Sequence, residues 1–101
     1  MTANENKYKL RVPDEVASNL RRLHPEIKSY IRSGLKNILD NPGIGKALKE
    51  ELQGLRSYRV KRYRIVYRIN QEQHDIEIIA IGPRRNIYAE TYRLLTKENK
   101  I

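Results

Sequence analysis

The sequence predicts an α+β domain: a small antiparallel sheet in the order β-α-α-β-β-β-α, with an N-terminal helical hairpin packed on one face. Three observations predict it. Apolar residues alternate through Leu55–Ile69, LRSYRVKRYRIVYRI, as they do in a half-buried strand pair. Val16, Leu20 and Leu23, then Ile27, Ile31, Leu35 and Ile38, recur at helical spacing on either side of His24-Pro25. The near-continuous apolar run Ile76–Ile81, IEIIAI, reads as a central strand. A chain of 101 residues is a single domain, 1–101, large enough for one modest core.

The elements follow in order. Tyr8–Val12 alternates and reads as an edge strand stopped by Pro13. Asp14 is placed to cap a helix over about 14–23. Pro25 suits the first turn of a second helix, which runs to about Leu39 and is ended by Asn41-Pro42-Gly43. Residues 43–54 form a connector with helical tendency in KALKEEL, closed by Gly54. A two-residue turn at Lys61-Arg62 then pairs Val60 with Tyr63, Arg59 with Arg64, Tyr58 with Ile65 and Ser57 with Val66. Asn70–Asp75 is a polar turn, and Gly82-Pro83 ends the last strand. Tyr88–Leu95 forms a short final helix, weakly anchored. Residues 1–7 and 96–101 read as flexible tails.

Composition narrows the function. There are 21 Lys and Arg against 12 Asp and Glu, a formal charge of +9. Because these charges cluster, they favour a polyanionic partner over simple solubility. The absence of cysteine removes disulfides, thiol catalysis and cysteine-based zinc sites. No apolar run approaches a membrane span, and the polar start MTANENK lacks the apolar core of a signal peptide. A cytoplasmic protein with no membrane partner is expected.

Arg56, Arg59, Lys61, Arg62, Arg64 and Arg68 stand in the Leu55–Ile69 stretch, which holds no acid. A sheet that displays guanidinium groups is suited to gripping phosphate. Arg59 and Arg64, directly opposite, repel each other, which is better tolerated where an anion binds. With Lys61, and with Arg84 from the next strand's exit, they form a candidate pocket for a scissile phosphate; the competing reading is a solvated basic face. Tyr88, four residues after Arg84, is a candidate for base stacking or proton transfer, against a core-edge role. His24 and His74 fall in unrelated turns, so a two-histidine mechanism is disfavoured. No acidic pair has metal-cluster spacing, and there is no HExxH, Walker loop or GxGxxG. No metal or other cofactor is expected.

The segments NPGIGKALKEELQGLRSYRVKRYRIVYRI and IEIIAIGPRRNIY, behind a helical hairpin, resemble the RelE/ParE superfamily of toxin–antitoxin toxins. The resemblance spans about Tyr8 to Leu95. It implies the fold above and, in the RelE-like branch, a metal-free, ribosome-dependent endoribonuclease that cuts mRNA by attack of the 2′-hydroxyl and so inhibits translation. By this resemblance the arginine of the family's Tyr-Arg strand motif falls on Arg64, the arginine after the Gly-x pair on Arg84, and the tyrosine following it on Tyr88. The basic position of the preceding strand falls on Arg59, or on Lys61 against members with a longer turn. Lys61 stands where many relatives carry glycine, and arginine is a poor general base, so that role stays open. Arg56, Arg62, Arg68 and Arg85 are expected to contact RNA or the ribosome. The implied partners are mRNA, the ribosome and a cognate antitoxin, acidic and partly disordered until bound. The other branch, ParE-like, implies a protein that poisons DNA gyrase by binding, without RNA cleavage.

Overall fold

The computed structural model describes residues 8–99, with side chains through residue 96. The elements are β1 (Lys9–Arg11), α1 (Asp14–Arg21), α2 (Pro25–Asp40), β2 (Lys46–Ala47), β3 (Arg56–Val60), β4 (Tyr63–Asn70), β5 (Asp75–Pro83) and α3 (Ile87–Asn99). The expected tail 1–7 lies outside the described residues. At the other end the helix continues through 96–99, so the boundary expected at Leu95 falls short.

The five strands form one sheet in the order β1-β5-β4-β3-β2. The β3–β4 hairpin has the predicted register: Val60 faces Tyr63, Arg59 faces Arg64, Tyr58 faces Ile65 and Ser57 faces Val66. One correction concerns strand direction. β2, β3, β4 and β5 pair antiparallel, but β1 runs parallel to β5, with Leu10 opposite Ile76. Turn residues set the direction of strands joined by tight turns. β1 is joined to the rest by the helical crossover, and no local signal sets its direction.

Alternation along β3 and β4 sorts side chains to two faces. On one face Tyr58, Val60, Tyr63, Ile65, Tyr67 and Ile69 pack with Ile76, Ile78 and Ile81 beneath the helices, against Val16, Ile31 and Ile38. α2 comes very close to β3. A Cβ built on Gly34 would stand 2.6 Å from Val60 Cγ2, so glycine is required there by space. Two cap details differ from expectation. Pro13, not Asp14, occupies the N-cap of α1, and no side chain caps it; Asp14 and Glu15 instead place negative charge in the first turn. His24 caps α2, its Nδ1 accepting from the Glu26 amide at 3.1 Å.

The other face of the sheet carries a second core. Leu55, Val66, Ile79, Ala80 and Ile87 are buried there, with Leu48, Leu52, Leu94 and Leu95 packed against them. A β-bulge in β5 serves it: Val66 pairs with Ala80 and Tyr67 with Ile78, leaving Ile79 as the extra residue. α3 is therefore firmly seated, which corrects the weak anchoring expected of this segment. Ile87 and Thr91 are fully buried, and the Thr91 hydroxyl donates to the Ile87 carbonyl at 2.7 Å. Arg93 adds ion pairs to Glu90 and to Glu15 of α1, both at 2.7 Å.

The connector after α2 is not helical as KALKEEL suggested. It holds β2 and two short 3-10 turns, Pro42–Ile44 and Glu50–Leu52. Its start is pinned by tertiary contacts that outweigh propensity. The Tyr67 hydroxyl donates to the Pro42 carbonyl at 2.6 Å and accepts from the Gly45 amide at 2.9 Å. Arg56 donates to the Gly45 carbonyl at 2.6 Å. A Cβ on Gly45 would fall 2.7 Å from the Tyr67 oxygen. The far end is tied by the Leu48 amide, which donates to the Leu55 carbonyl at 2.9 Å.

Candidate nucleic-acid interface

The β3–β4 hairpin is turned by Lys61, whose φ of 57° lies in the left-handed region. A lysine there carries a backbone cost that glycine avoids. Its ammonium lies 4.7 Å from the centre of the Tyr30 ring on α2, a cation–π contact that ties the hairpin tip to the helix. Beside the tip, the Arg84 amide donates to the Arg62 carbonyl at 2.9 Å. That bond carries the pairing past the end of β5 and sets the Arg84-Arg85 turn against the hairpin.

The result is a cleft of about 660 Å³ lined by Arg59, Lys61, Arg62, Arg64, Arg84 and Arg85, with Ile27, Tyr63 and Pro83 as its apolar walls. No acid lines it. Among the described residues, none of these six cations forms an ion pair; the pairs formed there belong to Arg11, Arg68 and Arg93. Arg64 is half-buried, and its guanidinium reaches the Tyr63 carbonyl at 3.3 Å. Arg59 is exposed. Their opposed register puts both on the sheet face that also carries α3. Two of the six cations stand on paired strands and four on the turns beside them, a grouping of positive charge that attracts an anion.

Of the predicted site residues, the cleft thus brings together Arg59, Lys61, Arg64 and Arg84, with Arg62 and Arg85. It does not include Tyr88, Arg56 or Arg68. Tyr88 is 45% exposed and lines a neighbouring cleft with Lys46, Ala47, Leu48, Lys49, Glu51 and Leu52. Arg56 lies on the helix-covered face, bound to the Gly43 and Gly45 carbonyls. Arg68 pairs with Glu77 at 2.7 Å. Ile27, Tyr30, Tyr63 and Pro83 were not expected at the site. Ile27 and Tyr30 follow the helical stripe that signals a core, and nothing local marks them as neighbours of the hairpin tip. Burial pushes the Tyr67 phenol above its ordinary range, against the Gly45 amide and the Arg56 charge, which favour its ionised form.

The family model described as "ParE toxin of type II toxin-antitoxin system, parDE" matches residues 10–88. The chain is 33% identical over 88 residues to Toxin RelE of Mycobacterium tuberculosis, covering 85% of this chain and 91% of that one. It is 30% identical over 83 residues to Toxin RelG of the same organism, covering 80% and 95%. Among solved structures, the toxin–antitoxin complex RelBE2 of M. tuberculosis matches with a TM-score of 0.70 at 29% identity, over 77% of this chain and 99% of that one. A mutant of Escherichia coli toxin RelE in the free state matches with a TM-score of 0.74 at 19% identity, over 93% and 99%; at that identity the likeness is one of fold.

Proposed function

The chain belongs to the RelE/ParE family of type II toxin–antitoxin toxins, and on that premise we propose that it is a ribosome-dependent endoribonuclease that cleaves mRNA. The observation that carries the reading is the cleft of six cations from β3, β4, their turn and the β5 exit, with no acid lining it among the described residues. Such a cleft suits in-line attack of a ribose 2′-hydroxyl on the adjoining phosphorus. The 2′-oxygen–phosphorus bond forms as the 2′-hydroxyl gives its proton to solvent, the bond to the 5′-oxygen breaks, and with that oxygen protonated the products are a 2′,3′-cyclic phosphate and a 5′-hydroxyl. Negative charge builds on the phosphate oxygens, and guanidinium groups from Arg59, Arg64 and Arg84 hold it. A guanidinium does not give up its proton in this range, whereas an ammonium can. Lys61 is accordingly the lining side chain suited to protonating the leaving 5′-oxygen. Tyr88, outside the cleft, serves by stacking. Arg62 and Arg85 extend the phosphate-binding surface, and docking on ribosomal RNA is electrostatic and salt-sensitive.

The neighbours solved as complexes, RelBE2 among them, support a cognate antitoxin for this chain as well. An acidic, partly disordered segment that folds on the basic surface is the partner its charge favours. A cytoplasmic site of action goes with this reading; among the described residues no helix is long and apolar enough to cross a membrane. Inducing the wild type and Arg84→Ala in cells, then mapping mRNA 5′ ends, tests the activity. New ends within coding sequence are expected with the wild type and not with the variant. Growth arrest without new ends refutes the nuclease.

The second reading is a gyrase poison, favoured by the ParE description of the matching family model and by a "YoeB/ParE toxin" of Agrobacterium tumefaciens among the structural neighbours (TM-score 0.65, 23% identity). Inhibition of supercoiling by purified protein, with no RNA cleavage, identifies it.

A further inference from the structure

We propose that Tyr30 of α2 is a positioning residue for Lys61: the face of its ring holds the lysine ammonium at the arginine cleft, where it donates a proton to the leaving 5′-oxygen. The proposal rests on the nuclease reading and deepens it, by naming what fixes a flexible lysine at the tip of a hairpin.

Three observations carry it. First, a ladder of contacts between α2 and β3 delivers the ring. The Asn37 side-chain amide donates to the Tyr58 hydroxyl at 3.1 Å. One helical turn back, Gly34 comes so close to β3 that a Cβ there would stand 2.6 Å from Val60 Cγ2. A further turn back, the centre of the Tyr30 ring lies 4.7 Å from Lys61 Nζ. Spacings of three and four residues keep these positions on one face of the helix, and their partners step along β3 from Tyr58 to the turn. Ile31, beside Tyr30, is buried in the core, so the ring stands on a fixed backbone.

Second, Lys61 is otherwise driven outward. It lines the cleft with five arginines, and among the described residues no acid lines that cleft and Lys61 forms no ion pair. The arginines repel its charge, and its long stem gains rotamer freedom by swinging into solvent. The negative face of an aromatic ring opposes both. Third, a ring suits a phosphate-binding cleft where a carboxylate does not. A carboxylate would neutralise the ammonium and repel the substrate. The ring carries no formal charge and covers one side of the ammonium, which leaves other N–H bonds to donate. Ile27, three residues before Tyr30, lines the same cleft as Lys61, which sets the contact at the helix-side wall. In the reaction Lys61 Nζ gives a proton to the 5′-oxygen as its bond to phosphorus breaks, and the amine left behind takes a proton from solvent.

The test measures single-turnover cleavage of mRNA on programmed ribosomes by the full chain as wild type, Tyr30→Leu, Tyr30→Phe, Lys61→Met and the double variant Tyr30→Leu/Lys61→Met. Tyr30→Leu should lower the rate at saturating ribosome about three- to thirty-fold, with little change in the ribosome concentration that gives half that rate. Tyr30→Phe keeps the ring and should recover most of the loss. In the Lys61→Met background Tyr30→Leu should cost nothing further. NMR of the free protein reads the contact without any reaction. The ring current should move the Lys61 ε-methylene signals upfield in the wild type and in Tyr30→Phe but not in Tyr30→Leu, and the amide spectrum shows whether each variant is folded. The proposal is overturned if folded Tyr30→Leu cleaves at the wild-type rate, if Tyr30→Phe loses as much as Tyr30→Leu, or if Tyr30→Leu slows the Lys61→Met variant by the same factor. Wild-type Lys61 signals without a ring-current shift overturn it whatever the activities. Wild-type rates from Lys61→Met remove the proton donor, and the proposal with it. A wild type that shows the ring-current shift yet cuts no ribosome-bound mRNA refutes the nuclease reading itself, and leaves Tyr30 a purely structural tie.

Discussion

Two arginines of one strand should change stability in opposite directions when neutralised. Arg59 sits opposite Arg64 with four further cations around the same cleft and, among the described residues, no acid lining it. Paired backbones lie about 5 Å apart, and side chains that splay outward from them allow a charge separation of about 7 Å. At that distance the repulsion is about 0.6 kcal/mol in a water-like dielectric and about 1 kcal/mol where the cleft is partly desolvated. Arg59→Gln retains much of the aliphatic stem and removes the charge. It should raise the melting temperature by about 2–8 °C at low salt while impairing RNA cleavage. In 1 M salt, where screening acts within about 3 Å, the gain should vanish. Arg56 uses its charge inside the fold, donating to the Gly45 carbonyl at 2.6 Å. Arg56→Gln should destabilise by about 1–3 kcal/mol, with little dependence on salt. Thermal denaturation of both variants at 20 mM and 1 M salt reads the two signs. A lower melting temperature for Arg59→Gln at low salt, or a gain that persists in 1 M salt, refutes the argument that the cleft stores repulsion for an anion to relieve.

Three other perturbations follow from the packing. Gly34→Ala gains about 1 kcal/mol of helix propensity but drives a Cβ to 2.6 Å from Val60 Cγ2; overpacking should win by about 1–2 kcal/mol, and adding Val60→Ala should recover part of the loss in urea denaturation. Tyr67 ionises above its ordinary value of 10.0 in the folded chain. The stability this supplies is whole below pH about 10 and is lost as pH rises through the raised folded value, so denaturation from pH 8 to 11 should show a falling limb that Tyr67→Phe flattens, at about 1–3 kcal/mol lower stability near neutrality. Lys61→Gly removes a left-handed lysine, φ 57°, together with its cation–π contact to Tyr30 at 4.7 Å; relief of about 1–2 kcal/mol set against a loss of about 0.5–1 kcal/mol and the extra chain entropy of glycine should leave stability within about 1 kcal/mol of the wild type while cleavage slows, and unchanged cleavage rates refute a role for Lys61 in proton transfer.

Local chemistry determined much of this protein. The alternation through Leu55–Ile69 and the two-residue turn set the hairpin register down to Arg59 opposite Arg64, because each one-residue slip would put apolar side chains into water. The stripes of Val16, Ile31 and Ile38 and the break at His24-Pro25 set the helical hairpin. The basic positions gathered at the hairpin tip were legible for the same reason: a tight turn makes sequence neighbours spatial neighbours. What tertiary structure alone decided involves contacts between distant segments. The parallel seating of β1 follows from a crossover, and the non-helical connector from Tyr67 and Arg56, which reach back to Pro42–Gly45. The second core under α3, spaced Ile87, Leu94, Leu95, became visible once the sheet showed an apolar rear face. That core also leaves Tyr88 lining a cleft with Lys46 and Lys49, outside the arginine cleft. Where a ring points depends on which helix face is buried, and that is settled by the surface it packs on.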